Sequence, residues 1–138
     1  MKILVPIDGS AACLRALAYV SSHSAEFAPE LSLIHVHLPL PSSKAAAWIG
    51  REAVHAYYDE EANEALKPAI DLLAKSGHKA AVIKKVGDPG AEIASVAASG
   101  FDLIVMGNKG RTALGNMVMG SVATRTIAEA TVPVLLVK

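Results

Sequence analysis

Five short apolar runs punctuate the chain: KILVPI (2–7), LSLIHVHL (31–38), KAAVIKKV (79–86), FDLIVMG (101–107) and VPVLLV (132–137). The first, fourth and fifth are β-branched and nearly continuous, the pattern of strands covered on both faces, as in parallel sheets. Segments of helical spacing lie between them. Ser10 predicts an N-cap, after which Leu14, Leu17, Ala18 and Ser21 fall on one face and Pro29 marks the exit. Tyr58, Ala62, Ala65, Leu66, Ala69, Ile70 and Leu73 recur at spacings of three and four. The opposite face of that helix carries Asp59, Glu60, Glu61 and Glu64, which reads as a solvated surface, and Gly77 stops it. Asp88 as cap and Pro89 in the first turn open a short helix through Ser99. A last helix carries Met119, Val122, Ala123, Thr126, Ile127 and Ala130 on one side.

The order is thus β-α-β-α-β-α-β-α-β. Such alternation predicts an α/β fold, a parallel sheet with helices on both faces and right-handed crossovers. No linker, repeat or low-complexity stretch divides the chain. The segment PLPSSKAAAWIG (39–50) shows neither period and is expected to be irregular, either an ordered loop or a flap over a site.

Composition narrows the function classes. The 138 residues fit one domain, with 52% hydrophobic and 19% charged residues, as in a folded globular chain. Aromatics are only 4%, so the core must be aliphatic. Thirteen basic and thirteen acidic side chains cancel, which argues against a domain built mainly to hold nucleic acid. Cys13 is the sole cysteine and allows neither an internal disulfide nor a cysteine metal cluster. The N-terminus turns polar after seven residues, too short for a signal peptide, and no run reaches a membrane-spanning length. A cytoplasmic protein without a membrane partner is expected.

In open α/β sheets, ligands bind beyond the carboxyl ends of the strands, where strand order reverses. Three segments leave such ends with suggestive chemistry: Pro6-Ile7-Asp8-Gly9-Ser10, His35-Val36-His37, and GNKGRTALGNMVMGS (107–121). In the last, Gly107, Asn108 and Gly110 follow a buried strand, and Gly120-Ser121 opens a helix. Helix N-termini offer unpaired amide donors and partial positive charge, and glycine lets a phosphate approach the backbone. The Ser121 hydroxyl adds a donor, while Lys109 and Arg111 add charge. On these features alone the stretch is either a phosphate site or an ordinary loop.

The spacing is G-x2-G-x9-G-[ST]. With ILVPIDGS, LIHV, VGDPGAEIASVAASGFDLIVMGNKG and VPVLLVK, the sequence resembles the ATP-binding branch of the universal stress protein family over its whole length. The resemblance implies a single domain spanning 1–138. It also implies a Rossmann-like, adenine nucleotide alpha hydrolase-like sheet of five parallel strands in order 3-2-1-4-5, with the cleft where strands 1 and 4 diverge. It carries the phosphate and ribose contacts onto Gly107, Asn108, Gly110, Gly120, Ser121 and Val122. Asp8 falls on the acidic position that meets the nucleoside, Pro6 on the adenine pocket and the Val36 backbone on the adenine edge. Arg111 holds a position that is often basic and would face the phosphates. Many relatives form homodimers through the last strand, here 132–137, and an apolar edge strand has its own motive to be paired.

The implied function is ATP binding by a stress-response sensor or switch, with Mg2+ arriving on the phosphates if at all. The alternatives are a nucleotide-independent dimeric interaction module and a slow ATPase. Fast phosphoryl transfer needs metal ligands, an oriented nucleophile and charge stabilisation, of which the glycine loop supplies part of the last. Asp8 could instead cap the first helix with Ser10, but its place beside the glycine loop favours the nucleoside. His35 and His37 share one strand face without an evident third metal ligand and read as packed or edge residues. Cys13 reads as a small core residue, and Trp48 either shields the cleft or anchors its own segment. Walker A, G-x-G-x-x-G, H-E-x-x-H and the G-x-S-x-G elbow are all absent.

Overall fold

The computed structural model describes residues 1–40, 43–111, 115, 116 and 118–138, with backbone alone for 43–47 and 49. Alternation of apolar runs and helical segments resolves into β1 (Lys2–Pro6), α1 (Ala11–Ser22), α2 (Ser24–Phe27), β2 (Glu30–His37), α3 (Ser43–Lys75), β3 (Ala80–Val86), α4 (Pro89–Ala98), β4 (Leu103–Gly107), α5 (Ser121–Glu129) and β5 (Val134–Val137). The five strands form one parallel sheet in the order β3-β2-β1-β4-β5.

Residues on a strand alternate between faces, and the core divides accordingly. Ile3, Val5, Ile7 and Leu33 pack with Leu17, Val20, Leu66 and Leu73 from α1 and α3. Leu4, Ile34, Ile104 and Met106 pack with Ile93, Ala97 and Ala123 from α4 and α5. Covered on both sides, β1 and β4 bury four residues each.

Two expected caps are present. Ser10 Oγ accepts from the Cys13 N–H at 3.3 Å, and Asp88 Oδ2 accepts from the Ala91 N–H at 3.0 Å with Pro89 in the first turn. The faces of the helices differ in detail from the periodic reading. On α1 the buried residues are Ala12, Cys13, Ala16, Leu17 and Val20, while Ala18 is exposed and Leu14 and Ser21 half-buried. Ala12 lies against Gly107 of β4, so the buried stripe is rotated from the one that Leu14, Leu17, Ala18 and Ser21 suggest. On α3 an alanine stripe of Ala62, Ala65 and Ala69 faces the sheet, which turns Ile70 outward. Ile127 of α5 is likewise exposed.

The segment expected to be irregular, 39–50, is largely helical. Positions 43–49 belong to α3, and Gly50 interrupts it at φ 79°, ψ 158°, a conformation that disfavours a Cβ. An alanine-rich stretch forms a helix on propensity without an apolar stripe to announce it. Positions 41 and 42 lie outside the described residues. No helix among the described residues is long and apolar enough to cross a membrane.

Candidate functional site

The sheet opens where the strand order reverses. β1 pairs with β2 from Lys2 to Pro6, but with β4 at Ile3 and Leu4. Beyond that point Pro6 has no N–H to give, and the Ile7 N–H turns toward β2, donating to the Ile34 carbonyl at 2.8 Å. The ends of β1 and β4 therefore part and leave a cleft.

The cleft has an apolar inner part and a polar outer part. The inner cavity, about 90 Å³, is lined by Pro6, Ile34, Val36, Ile93, Met106 and Val122, with Lys109 at its wall. The outer groove, about 580 Å³, carries Asp8, Gly110, Arg111, Gly120, Ser121 and Arg125, with His35, His37, Glu61 and Asp88 also on its lining. Asp8, Val36, Pro89, Gly110 and Val122 border both. A ligand with a flat apolar end and an anionic tail matches this sequence of surfaces.

Pro6, Asp8, Val36, Gly107, Gly110, Arg111, Gly120, Ser121 and Val122 thus converge on the cleft. Asn108 lines neither part. It is nearly buried, its Nδ2 donates to the Val118 carbonyl at 2.9 Å, and its own carbonyl accepts the Gly120 N–H at 2.7 Å. Asn108 is a staple between the two ends of the glycine loop. Positions 112–114 and 117 of that loop lie outside the described residues.

The three glycines of the motif each satisfy a close approach within the protein itself. A Cβ on Gly107 would lie 2.7 Å from the Ala12 backbone, so this glycine lets α1 pack against the end of β4. On Gly110 it would meet Asp8 Oδ2 at 2.8 Å, and on Gly120 the Gly110 nitrogen at 3.3 Å. Gly115 faces open space.

Asp8 joins the turn into α1 to the glycine loop. Its Oδ1 accepts from the Ser10 N–H at 2.9 Å, which shapes the turn into α1. Its Oδ2 accepts from the Arg111 N–H at 3.2 Å, which ties the glycine loop to the end of β1. The carboxylate thus sits at the junction of the inner cavity and the groove.

Two helices begin at the groove. α4 is closed at its N-terminus by Asp88 and has Glu92 in its first turn. α5 begins at Gly120, with no side-chain cap and no acidic residue in its first turn. Its first-turn amides and positive dipole end are directed toward the groove without internal neutralisation.

His35 is buried, and its Nδ1–H donates to the Ile7 carbonyl at 2.8 Å, which leaves Nε2 buried without a partner among the described residues. His37 packs edge-on against Tyr57 and Tyr58. No three His, Cys, Asp or Glu side chains among the described residues converge as a metal site. Cys13 lines the inner cavity; burial pushes its thiol pKa above the ordinary range, while its Sγ–H donates to the Ser10 carbonyl at 3.0 Å. Trp48 is 89% exposed and borders neither part of the cleft.

Sequence reading missed Ile34, Ile93 and Met106 because strand and helix residues that line an apolar cavity have the same pattern as core. It missed Asp88 and Arg125 because one reads as a cap and the other as an exposed helix position. Their meeting at 3.2 Å is a product of topology.

With this geometry established, comparison with known proteins identifies its kin. The universal stress protein family model matches residues 1–138. Universal stress protein MJ0531 of Methanocaldococcus jannaschii is 36% identical over 138 residues, covering 99% of this chain and 81% of the relative. The solved structure of MJ0577 from the same organism superposes with a TM-score of 0.78 at 32% identity, covering 99% of this chain and 94% of that one. A universal stress protein from Archaeoglobus fulgidus, solved in complex with dAMP, gives a TM-score of 0.68 at 25% identity and covers 100% of this chain and 98% of its own.

Proposed function

Because the chain belongs to the universal stress protein family, we propose that its cleft binds an adenine nucleotide, ATP in particular, and that occupancy is the signal of a stress-response switch. The observation that carries this reading is the continuity of the two cavities. A purine matches the apolar inner space between Pro6, Ile34, Val36 and Met106. The ribose then falls at Asp8, and the phosphates at Gly110, Arg111, Gly120, Ser121 and the first-turn amides of α5. The dAMP held by the Archaeoglobus relative contains the base, sugar and first phosphate of that arrangement.

The Val36 backbone lies at the adenine edge in this reading, with its side chain and that of Val122 closing the base pocket. Gly107 and Asn108 act indirectly, by fixing the start of the loop. Mg2+ would come held by phosphate oxygens, since the described residues provide no three-ligand set of their own. The switch requires an element that responds. Asp8 supplies one, because ribose hydroxyls would compete with the Arg111 amide for the same carboxylate.

The reading also includes a cytoplasmic homodimer joined through β5, an edge strand whose Val134, Leu135, Leu136 and Val137 are all half-buried in the monomer. Sedimentation at micromolar concentration tests it; a monomer throughout would discard the β5 interface.

Calorimetric titration of ATP tests the cleft. Wild type is expected to bind, and Gly120→Val to lose at least about a hundredfold in affinity, since the new side chain enters the phosphate space. Its Cβ also approaches Gly110, so the variant's thermal unfolding is measured alongside. Unchanged affinity in a folded Gly120→Val would remove the phosphates from this loop.

A further inference from the structure

The outer groove ends at an ion-pair triad outside the motif. Arg125 Nε lies 3.2 Å from Asp88 Oδ2 and 2.8 Å from Glu129 Oε1. Arg125 and Asp88 both border the groove. Their meeting is built into the packing of α4 on α5: a Cβ on Gly90 would lie 2.6 Å from Arg125 Cβ, and Thr126 beside it is fully buried. The root of the arginine is therefore fixed, while its side chain remains 55% exposed and able to turn.

Arg125 stands four residues after Ser121, one helical turn further along the same face, about 5–6 Å between Cβ atoms. A nucleotide with a single phosphate at the start of α5 ends before reaching it. A triphosphate chain covers that turn and meets Arg125 together with the surrounding carboxylates. The triad carries one positive and two negative charges, so an arriving phosphate is repelled unless it takes the guanidinium from them.

We propose that Arg125, held in the free protein by Asp88 and Glu129, reads the number of phosphates on the nucleotide. This rests on the nucleotide reading of the cleft. A monophosphate leaves the triad intact. A terminal phosphate exchanges exposed carboxylate pairs, which are worth little, for a charge-assisted Arg–phosphate contact of forked geometry. ATP thereby loosens Asp88 from α5, a change at the α4–α5 surface that AMP does not produce.

Affinities of ATP and AMP, measured by calorimetry for wild type, Arg125→Gln and Asp88→Asn, test this. Arg125→Gln is expected to weaken ATP about tenfold, or about 1.4 kcal/mol, and to leave AMP within about twofold. Asp88→Asn keeps a capping oxygen on α4 but removes one of the two carboxylates that hold the arginine, leaving Glu129, and should tighten ATP about threefold with AMP unmoved. Thermal unfolding shows that each variant is folded. If Arg125→Gln leaves the ATP-to-AMP ratio at its wild-type value, the inference is overturned while the cleft reading stands. If wild type binds neither nucleotide, the cleft reading falls and takes the inference with it.

Discussion

Two helices begin beside the same groove and are built in opposite ways. α4 is closed by the protein: Asp88 caps it, Glu92 sits in its first turn and Arg125 balances the cap. α5 starts on Gly120, with neither a side-chain cap nor an acidic residue in its first turn. A helix N-terminus carries roughly half a positive charge and several amides without partners. At α4 Asp88 and Glu92 answer those needs, and at α5 no described side chain does so. In the proposed reading, the end closed by the chain is structural and the open end is the site.

Giving α5 the chemistry of α4 should have the largest effect. Ser121→Glu places a carboxylate in the first turn of α5. Affinity for ATP should fall about a hundredfold by like-charge repulsion, while stability rises by about 0.5 kcal/mol through the helix dipole. Calorimetry and thermal unfolding read the two opposed signs; a loss of both together would mean that the substitution merely damages the fold.

The reverse change on α4 should be smaller and, apart from the effect on ATP of losing the Arg125 pair, should fall on stability. Asp88→Ala removes the cap and costs about 1 kcal/mol, seen as a fall of a few degrees in Tm. AMP binding should survive it. Loss of AMP binding in a folded Asp88→Ala would show that α4, too, supplies ligand contacts.

The smallest expected effect lies in the inner cavity. Cys13 lines the inner cavity, and burial raises its thiol pKa. A raised acid pKa adds stability below the unfolded value and loses it as pH rises through the folded one, so stability should decline on the alkaline side of the ordinary thiol range. Cys13→Ala should flatten that decline. Nucleotide over the cavity should slow alkylation of Cys13, and equal rates with and without ATP would place the base elsewhere.

Architecture was largely legible because β1 and β4 must be apolar on both faces, and because Ser10, Asp88 and Pro89 are strong start signals. The cleft was legible through Pro6-Ile7-Asp8 and the spaced glycines. Rotational detail was not. Alanine fits either a buried or an exposed position, so Ala12 and Ala16, which meet the sheet, carried no more signal than Ala18, which does not. Helix at 43–49 was hidden for the same reason. The glycines were legible as a motif but not in their division of labour. Only the fold shows that Gly107 accommodates Ala12 and Gly120 accommodates Gly110, so bare backbone there serves packing before it serves any ligand. Arg125 was invisible because its significance depends on Asp88, thirty-seven positions away in sequence and joined to it by an ion pair.

The central claim is that the cleft between β1 and β4 is a nucleotide site. Its most direct test is to purify the protein from its host without a denaturing step, release any bound small molecule by heat, and identify it by mass spectrometry. The account predicts an adenine nucleotide, present in wild type and absent from Ser121→Glu. Protein that carries no nucleotide and takes up neither ATP nor AMP at millimolar concentration would contradict it.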